Sequence, residues 1–483
     1  MIADLKPYPA YKDSGVPWLG ELPEHWEVRR MKLLLREVDS RSSSGGEQLL
    51  RVSQYTGVTQ RKAIDGSDEP NTRASSLVGY KRVAVNDLVV NIMLAWNGSM
   101  GVSRYDGIAS PAYCVYRFRN GVRPWYYHEL LRLPVYKGRI KNASTGVVES
   151  RLRLYSDDLG RIEAIAPPCE EQDAIVHFLS NANRRIRRYI LAKQKLIKLL
   201  EEQKQAIIQR AVTRGLDPNV RLKPSGVEWL GEVPEHWTLA RLKDAAVVQT
   251  GLTLGKNYKG VKTESRPYLR VANVQVGRVD LKHVKYLDVP SNEANCATLR
   301  ADDVLMTEGG DIDKLGRGCV WRDEILECLH QNHIFAVRCR KDILIPEFLA
   351  GLMASRHGRA YFQLTAKQTT NLASTNSTTL RAFPVFLPPL PEQQAILDEI
   401  ARKTSGLTAA TDRAEHEIEL LREYRTRLIA DVVTGKLDVR AAAAKLPEET
   451  DDLQPLDEAE DFAESDEGTE DTDLEAVPNE AEA

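Results

Sequence analysis

The sequence predicts an α+β fold made of two similar halves, each a mixed α/β block followed by a long helix. Three observations lead to this prediction: one motif occurs twice, short apolar segments follow each copy, and each half closes with a continuous helical pattern. The length of 483 residues suits about three domains of roughly 150 residues each. The 42% hydrophobic content is sufficient for buried cores.

A thirteen-residue motif opens each half. Residues 14–26 read SGVPWLGELPEHW and residues 225–237 read SGVEWLGEVPEHW, identical at eleven positions and offset by 211. The closing segments match at an offset of 221, since PPCEEQDAIVHFL at 167–179 corresponds to PPLPEQQAILDEI at 388–400. We infer a duplication with a pseudo-two-fold axis, which suits a nearly symmetric partner such as a DNA duplex.

The blocks between these motifs combine strands and helices. Short apolar runs separated by Gly, Asn, Asp and Ser predict the strands. In the first block the strands are predicted at 49–53, 83–85, 88–91 and 112–118, followed by a helix at 124–133. In the second block they are predicted at 268–272, 304–307, 318–321 and 333–337, followed by a helix at 345–355.

Each half ends in a predicted long helix. In the first, apolar residues recur every three or four positions over 170–214 without Gly or Pro, and Gly215 ends the pattern. The second runs over about 392–434, with a bend expected at Ser405–Gly406. About 45 residues at 1.5 Å each give roughly 65 Å. We expect the two helices to pair antiparallel and to hold the blocks apart.

The charge divides into a basic body and an acidic end. The formal net charge is −3, but residues 446–483 hold 17 Asp or Glu and no Lys or Arg, which leaves +14 on the rest. A basic body fits a polyanionic partner. The acidic end is poor in aromatic residues and contains three prolines, so it is predicted to be disordered. We expect it to compete with DNA for the basic surface.

The sequence contains no recognisable reaction centre. It lacks GxxxxGK[ST], HExxH, GxSxG and the [DNS]PP[YF] motif of amino-methyltransferases. Its six cysteines include no CxxC pair, which disfavours a zinc site and a disulfide scaffold. It has neither an apolar run of 18 residues nor a secretory signal pattern. The sequence therefore predicts a non-catalytic recognition or assembly subunit in the cytoplasm.

With these motifs the chain resembles the specificity subunits of type I restriction–modification enzymes. The resemblance is carried by the repeated SGVxWLGExPEHW opening, the PPxxEQxAI start of each long helix and the layout in two halves, which together span about 5–438. The start of the first helix departs slightly by reading PPCEEQ, and the acidic end departs from the usual pattern.

The resemblance implies a non-catalytic subunit that reads a bipartite, interrupted DNA site. Residues 1–166 and 216–387 would be target recognition domains, 167–215 and 388–437 spacer helices, and 438–483 an acidic tail. The implied partners are double-stranded DNA and two modification subunits, which bind S-adenosylmethionine and methylate adenine. Whether translocase–nuclease subunits also join is left open. The chain itself would hold no cofactor or metal and would not bind a membrane.

Residues that contact DNA are expected in polar loops, where Arg and Lys suit guanine and Asn and Gln suit adenine. The candidates in the first block are Gln54, Tyr55, Thr59, Gln60, Arg61, Lys62, Asn97, Ser99, Arg104 and Ser144. The candidates in the second block are Thr250, Thr253, Lys256, Asn273, Arg317, Lys367, Gln368 and Asn371. The basic run 184–198 is expected to face solvent or a protein partner, with contact to phosphates as the alternative.

Two other functions remain open from the sequence. One is a self-sufficient DNA methyltransferase or nuclease, which the missing motifs disfavour. The other is a coiled-coil scaffold that binds only proteins, which the two divergent blocks disfavour.

Overall fold

The computed structural model describes residues 5–61, 74, 76–148, 151–255, 258–310, 315–316, 318–368 and 373–447. The chain divides into two compact units. Unit 1 comprises Met1–Leu191 and Ile418–Ala483, and unit 2 comprises Ala192–Glu417. The division falls inside the two long helices, so each unit contains the start of one long helix and the end of the other.

Unit 1 is built around a four-stranded antiparallel sheet, here called its central sheet. The strand order is Leu35–Glu37, Tyr113–Phe118, Leu88–Asn91 and Met100–Val102. Strand pairs surround it: Tyr11–Asp13 with Glu21–Pro23, Glu27–Arg30 with Glu163–Ala166, Leu50–Ser53 with Gly57–Gln60, and Lys81–Val83 with Gly107–Ala109. The shorter helices are Met31–Leu34, Ala95–Asn97 (3-10), Pro124–Leu131, Pro134–Ala143, Ser156–Arg161 and Arg440–Ala443.

Unit 2 has a central sheet of the same strand order: Ala246–Thr250, Ile334–Cys339, Asp303–Thr307 and Gly318–Val320. Its other strands are Leu222–Pro224, Glu232–Pro234, Thr238–Arg241, Glu264–Leu269, Val274–Gln275, Arg278–Val279, Lys285–Val289, Gly309–Gly310, Leu329–His330, Lys367–Gln368, Ala373–Ser374 and Pro384–Leu387. The shorter helices are Leu242–Ala245, Val271–Asn273 (3-10), Ser291–Ala297, Pro346–Ala354, Arg356–Thr365 and Ser377–Arg381.

The two central sheets correspond strand by strand. Leu35 pairs with Phe118 as Ala246 pairs with Cys339, at offsets of 211 and 221. The third strands, Leu88–Asn91 and Asp303–Thr307, superimpose in register at an offset of 216. The units therefore share one frame, and unit 2 holds five extra residues in each of two intervening stretches. This content of helices and antiparallel strands fits the α+β class.

An ion pair between a buried aspartate and a more exposed arginine joins the third strand of each sheet to the second. Arg117 donates to both oxygens of Asp87 at 2.9 Å, and Arg338 donates to both oxygens of Asp303 at 2.8 and 2.7 Å. Asp303 is fully buried and Asp87 nearly so. Bidentate pairing of this kind compensates a carboxylate for its lost hydration.

The long helices cover Cys169–Arg214 and Leu390–Val433, and the second continues through Ser405–Gly406. Within unit 2 they pair antiparallel, because Lys193 Nζ lies 2.6 Å from Glu417 Oε2 and Lys204 Nζ donates to Thr408 Oγ1 at 3.0 Å. In unit 1, Arg425 Nε donates to Asn183 Oδ1 at 3.1 Å.

The repeated motifs meet at the base of each long helix. In unit 1, Glu171 is buried and accepts from Trp26 Nε1 at 2.9 Å and from Tyr8 Oη at 3.1 Å, while His25 Nε2 lies 2.6 Å from its other oxygen. Arg440 Nη1 also donates to this carboxylate at 3.3 Å. We call the interaction of each glutamate with its Trp and His the Glu–Trp–His contact.

The same contact occurs in unit 2. Glu392 accepts from Trp237 Nε1 at 3.0 Å, and His236 Nε2 lies 2.7 Å from its second oxygen. The Glu392 side chain is 28% exposed, against 8% for Glu171. The conserved spacing within PEHW thus serves to place one indole and one imidazole on a single carboxylate at the helix start.

The glutamine that follows each glutamate joins the helix start to a second helix. Gln172 donates to Pro167 O at 2.7 Å and accepts from Arg123 N at 3.2 Å. Gln393 donates to Pro388 O at 2.9 Å and accepts from Ile345 N at 2.9 Å. Arg123 and Ile345 are the N-cap residues of Pro124–Leu131 and Pro346–Ala354. The glutamine of each EQ pair therefore satisfies a backbone donor that the start of a second helix leaves open.

Residues 438–447 differ from the prediction, which assigned them to the acidic tail. Val439 and Ala443 are buried in the unit 1 core, and Asp438 N donates to Lys6 O at 2.8 Å. Their apolar residues match the core of unit 1, whereas the dense acidic sequence begins only at residue 448. Residues 448–483 lie outside the described residues.

A neutral histidine is enclosed in unit 2. His330 is fully buried, and its Nδ1 donates to Ile334 O at 2.9 Å, while Nε2 has no partner among the described residues. Burial lowers the pKa of His330 to about 4.

We expect Glu171→Ala to lower the free energy of unfolding by about 3 kcal/mol, because it leaves the buried Trp26 and Tyr8 donors unsatisfied. Glu392→Ala removes fewer and more exposed contacts, so about 1–2 kcal/mol is expected. Urea unfolding followed by tryptophan fluorescence measures both. Glu170→Ala is the control, since Glu170 is exposed on the same turn. Equal effects at positions 170 and 171 would contradict this role.

We also expect His330 to make unit 2 sensitive to acid. Its pKa is lower in the folded than in the unfolded chain, so its contribution is complete above pH 6.5 and is lost as the pH falls towards 4. At pH 5 the loss is about 2 kcal/mol. Comparing unfolding free energies at pH 7.5 and pH 5 should show a smaller pH dependence for His330→Gln. An unchanged dependence would refute this assignment.

Candidate nucleic-acid interface

The loops that differ between the two units leave the two central sheets at equivalent ends. In unit 1 the strand that ends at Asn91 pairs there with Tyr113, the first residue of the neighbouring strand. In unit 2, Thr307 pairs with Ile334 and Thr250 with Phe335 at the corresponding end. Loops after the first and third strands of each sheet therefore emerge on the same side of the frame, where their side chains can form one surface.

Arg132 joins two of these loops in unit 1. Its guanidinium donates to Met100 O at 2.9 Å and to Gln54 O at 3.1 Å, and it also donates to Tyr55 O. Gly57 has a φ of +73° and packs against the His128 ring, so a Cβ there would be strained as well as crowded. The hairpin turn at 54–56 is consequently fixed beside the loop that follows Asn91.

Cationic side chains pack near aromatic rings at the junction, where the turn at 54–56 meets the loop that follows Asn91. Arg104 Cζ lies 4.2 Å from the centre of the Trp125 ring, and Lys141 Nζ lies 5.5 Å from the centre of the Trp96 ring. We call the following set the basic–aromatic cluster: Arg104, Arg132, Lys137, Lys141, Trp96 and Trp125. Cations over indole faces are held by the ring quadrupole and keep their hydrogen-bond donors available.

Two cations of this cluster, Arg104 and Lys137, have no carboxylate within ion-pair distance among the described residues. Burial lowers the pKa of Lys137, and Arg132 adds to this effect. Burial, with Arg132 and Arg104 nearby, lowers the pKa of His128 well below its usual value, so His128 is neutral and accepts from Val102 N at 3.1 Å. An anion would relieve this repulsion.

The structure gathers some of the predicted residues of unit 1 and separates others. Gln54, Tyr55, Asn97 and Arg104 lie at the junction, and Tyr55 is 43% exposed. Ser99 is buried there, and its hydroxyl donates to Asn97 Oδ1 at 2.9 Å.

The remaining candidates of unit 1 lie elsewhere. Thr59 accepts from Arg51 at 3.4 Å on the hairpin, and Gln60 and Arg61 follow at its far end. Ser144 ends the helix Pro134–Ala143 and donates to Ile140 O at 2.8 Å. Lys62 lies outside the described residues.

One prediction in unit 2 does not fit. Asn273 is buried; its Oδ1 accepts from Arg270 N at 2.8 Å and its Nδ2 donates to Asp280 O at 2.8 Å. Because both ends of the amide are used to hold a turn, the side chain has no group to offer a base. The NVQ sequence predicted a polar loop, but the following hairpin encloses it.

The other candidates of unit 2 lie at or near the loop end of its central sheet. Thr250 ends the first strand, Thr253 follows it in an exposed loop, and Lys367 is exposed in a small sheet with Ala373–Ser374 and Gly309–Gly310. Gln368 belongs to this small sheet by its backbone. Lys256, Arg317 and Asn371 lie outside the described residues.

Sequence reasoning missed most of the basic–aromatic cluster. The sequence analysis sought DNA contacts in polar loops and made no assignment for Lys137, Lys141 or Trp96. It included Trp125 and Arg132 only as part of the helix predicted at 124–133. The available signal was the spacing of Lys137 and Lys141, four residues apart on one helix face and 12 and 16 residues after Trp125.

The described residues offer little for catalysis. They contain no group of three or more His, Cys, Asp and Glu arranged to hold a metal, and no helix among them is both long and apolar enough to cross a bilayer. All six cysteines are free thiols. Burial raises the pKa of Cys319, Cys328 and Cys339 to about 12, which makes them poor nucleophiles.

Comparison with known proteins gives one consistent family. A family model described as "Type I restriction modification DNA specificity domain" matches residues 234–420. The type I restriction enzyme EcoKI specificity subunit of Escherichia coli (strain K12) is 22% identical over 416 residues, which cover 83% of this chain and 85% of that protein. The StySPI specificity subunit of Salmonella potsdam is 22% identical over 466 residues, covering 89% and 96%.

A solved structure agrees with this family at the level of the fold. It comes from work on complex assembly and conformational transition of the type I R-M system, and it aligns with a TM-score of 0.58 and 16% identity. The alignment covers 86% of this chain and 99% of that chain. The Glu–Trp–His contacts account for the repeated PEHW motif and for the glutamate of each EQ pair. In sequence and in fold, the chain is thus similar to the specificity subunits of type I restriction–modification enzymes, and residues 234–420 match their DNA specificity domain.

Proposed function

We propose that this chain is the DNA sequence-specificity subunit of a type I restriction–modification complex and that each unit reads one part of a bipartite site. The observation that carries the proposal is that the two units share the same framework but carry different loops at the same end of the central sheet. The Glu–Trp–His contact, the Asp–Arg pair and the central sheet are common to both units. The elements at the loop end are not.

The two loop ends differ in fold. Unit 1 presents the hairpin Leu50–Ser53 with Gly57–Gln60 beside the basic–aromatic cluster. Between its first and third central strands, unit 2 instead carries Glu264–Leu269 paired with Lys285–Val289 and the helix Ser291–Ala297. A duplicated framework with two different recognition surfaces suits a DNA site made of two different half-sites. Each surface presents its own hydrogen-bonding groups to the bases.

The basic–aromatic cluster supplies the chemistry for DNA contact in unit 1. Lys137 and Lys141 are suited to phosphates, where they would displace condensed counterions and give salt-dependent affinity. Arg104 and Tyr55 are exposed beside them and suit base edges or sugars. Arg132 is a positioning residue in this scheme, because its donors hold the loops at residues 54–55 and 98–100.

Catalysis belongs to partners in this proposal. Two modification subunits would bind S-adenosylmethionine and methylate adenine, and translocase–nuclease subunits would join in a complete restriction complex. Methylation requires the adenine to leave the base stack, so the assembled complex would open or bend the duplex near each word. The proposed site of action is the cytoplasm.

The alternative functions have less support. A self-sufficient nuclease would need a metal-binding group, and the described residues contain no set of three or more His, Cys, Asp and Glu arranged to hold a metal. A self-sufficient methyltransferase is disfavoured by the missing [DNS]PP[YF] motif. A protein-only scaffold would not explain why cationic and aromatic side chains converge at the loop end of unit 1. The family match also favours DNA recognition over both.

We expect modular specificity. Exchanging residues 27–166 for the equivalent block of another specificity subunit keeps Trp26 and Glu171, and therefore the residues of the Glu–Trp–His contact on either side of the block. The chimaera, assembled with its modification subunits, should methylate a site in which one half has changed and the other has not. Methylome sequencing of the host measures this. A change in both halves of the methylated site would contradict the assignment of one half-site to each unit.

We expect Lys137→Ala and Lys141→Ala each to reduce the slope of log K against log salt concentration by about 1, for cognate and non-cognate duplexes alike. Fluorescence anisotropy on the assembled complex measures the slope. Lys32→Ala is the matched control, because Lys32 is exposed in unit 1 next to the opposite end of the central sheet. Equal effects at positions 32 and 137 would refute the location of the interface.

A further inference from the structure

The last described residues of the chain lead directly to a small cleft in unit 1. Leu446 packs against the unit 1 core and lines this cleft with Phe178 and Ile186 of the first long helix and Leu421 and Tyr424 of the second. The cleft has a volume of about 160 Å³. Residue 448 is thus only two positions from Leu446 at the cleft wall.

The cleft combines an apolar floor with a basic rim. Tyr189 and Tyr424 are 58% and 38% exposed, although both line it. Arg185 also lines it and is exposed, as is Arg188 on the same helix. Exposed aromatic rings beside arginines are typical of surfaces that receive an amphipathic peptide.

The charge around the cleft is strongly positive. The first long helix has four arginines within 184–188 and no Asp or Glu from 174 to 200. The part of the second long helix in unit 1, residues 418–433, holds three basic and three acidic residues and so does not offset this charge.

The segment that follows the cleft has the complementary composition. Residues 448–462 read EETDDLQPLDEAEDF, with eight Asp or Glu, no Lys or Arg, and the apolar residues Leu453, Leu456 and Phe462. Because it is tethered beside the cleft, its effective concentration there is on the order of millimolar. An acidic peptide with spaced apolar residues matches both the floor and the rim.

We propose that residues 448–462 dock in cis on this cleft and cover the arginines at 184–188. The apolar residues occupy the floor between Tyr189 and Tyr424, and the carboxylates lie along the arginines. The docked segment acts as an internal polyanion that competes with loosely bound DNA for the first long helix. The docking is independent of the proposed function, whereas this consequence for DNA rests on it.

Docking can be tested without DNA. Hydrogen–deuterium exchange over residues 178–190 of the full chain should be at least threefold slower than in a chain truncated after Pro447. Changing the eight acids of 448–462 to Asn or Gln should reproduce the truncation. Changing eight of the nine acids of 464–482 is the matched control and should leave the exchange slow. Equal exchange in the full and truncated chains, or equal effects of the two sets, would overturn the proposal.

The competition has a separate readout. Truncation should strengthen binding of a duplex without the recognition site about tenfold at low salt, and Arg185→Gln with Arg188→Gln should abolish that gain. Slow exchange in the full chain with unchanged DNA affinity would keep the docking but overturn the competition. Failure of the assembled complex to bind any cognate duplex would instead count against the proposed function, since the exchange measurement involves no DNA.

Discussion

The rest of the structure depends on a hydrogen-bonded carboxylate at the start of each long helix, which is buried at Glu171 and partly buried at Glu392. Glu171 and Glu392 each receive an indole N–H and an imidazole from the repeated opening motif. Such a carboxylate is stable away from water only while its donors stay in place. The contact therefore fixes the opening strands, the helix start and, through Gln172 and Gln393, a second helix relative to one another. Motif and helix lie roughly 150 residues apart in sequence, so the contact also encloses each divergent block.

This arrangement separates what must stay constant from what is free to change. The frame of each unit is held by the Glu–Trp–His contact and by the pair of Asp87 with Arg117 or Asp303 with Arg338. The loops at the opposite end of the central sheet carry no part of these contacts. They tolerate different lengths and folds, as the hairpin of unit 1 and the three-stranded sheet of unit 2 demonstrate. A protein whose function is to distinguish DNA sequences benefits from such a division, because specificity can change without loss of the frame.

Electrostatics gives the second constraint. The body is basic by composition, yet its cations are distributed unevenly: many are paired on the surface, whereas Arg104 and Lys137 have no carboxylate within ion-pair distance among the described residues. Surface pairs contribute little to stability and are screened by salt. Cations that have no acidic partner nearby raise the local electrostatic potential and attract polyanions. The acidic end of the same chain carries charge of the opposite sign, so it can offset part of the positive charge of the body.

The sequence by itself determined the repeated motifs, predicted the two long helical segments and the α+β class, and carried the resemblance to specificity subunits, because repeats, helical periodicity and motif spacing are local features of the chain. It also placed Gln54, Tyr55, Asn97 and Arg104 near the loop end of unit 1. Only the tertiary structure decided that Glu171 accepts from Trp26, that residues 438–447 belong to the unit 1 core, that Asn273 is buried, and that Lys137 and Lys141 join the cluster. These facts depend on which distant segments of the chain contact one another. Burial and pairing arise from those long-range contacts and cannot be assigned to any single segment.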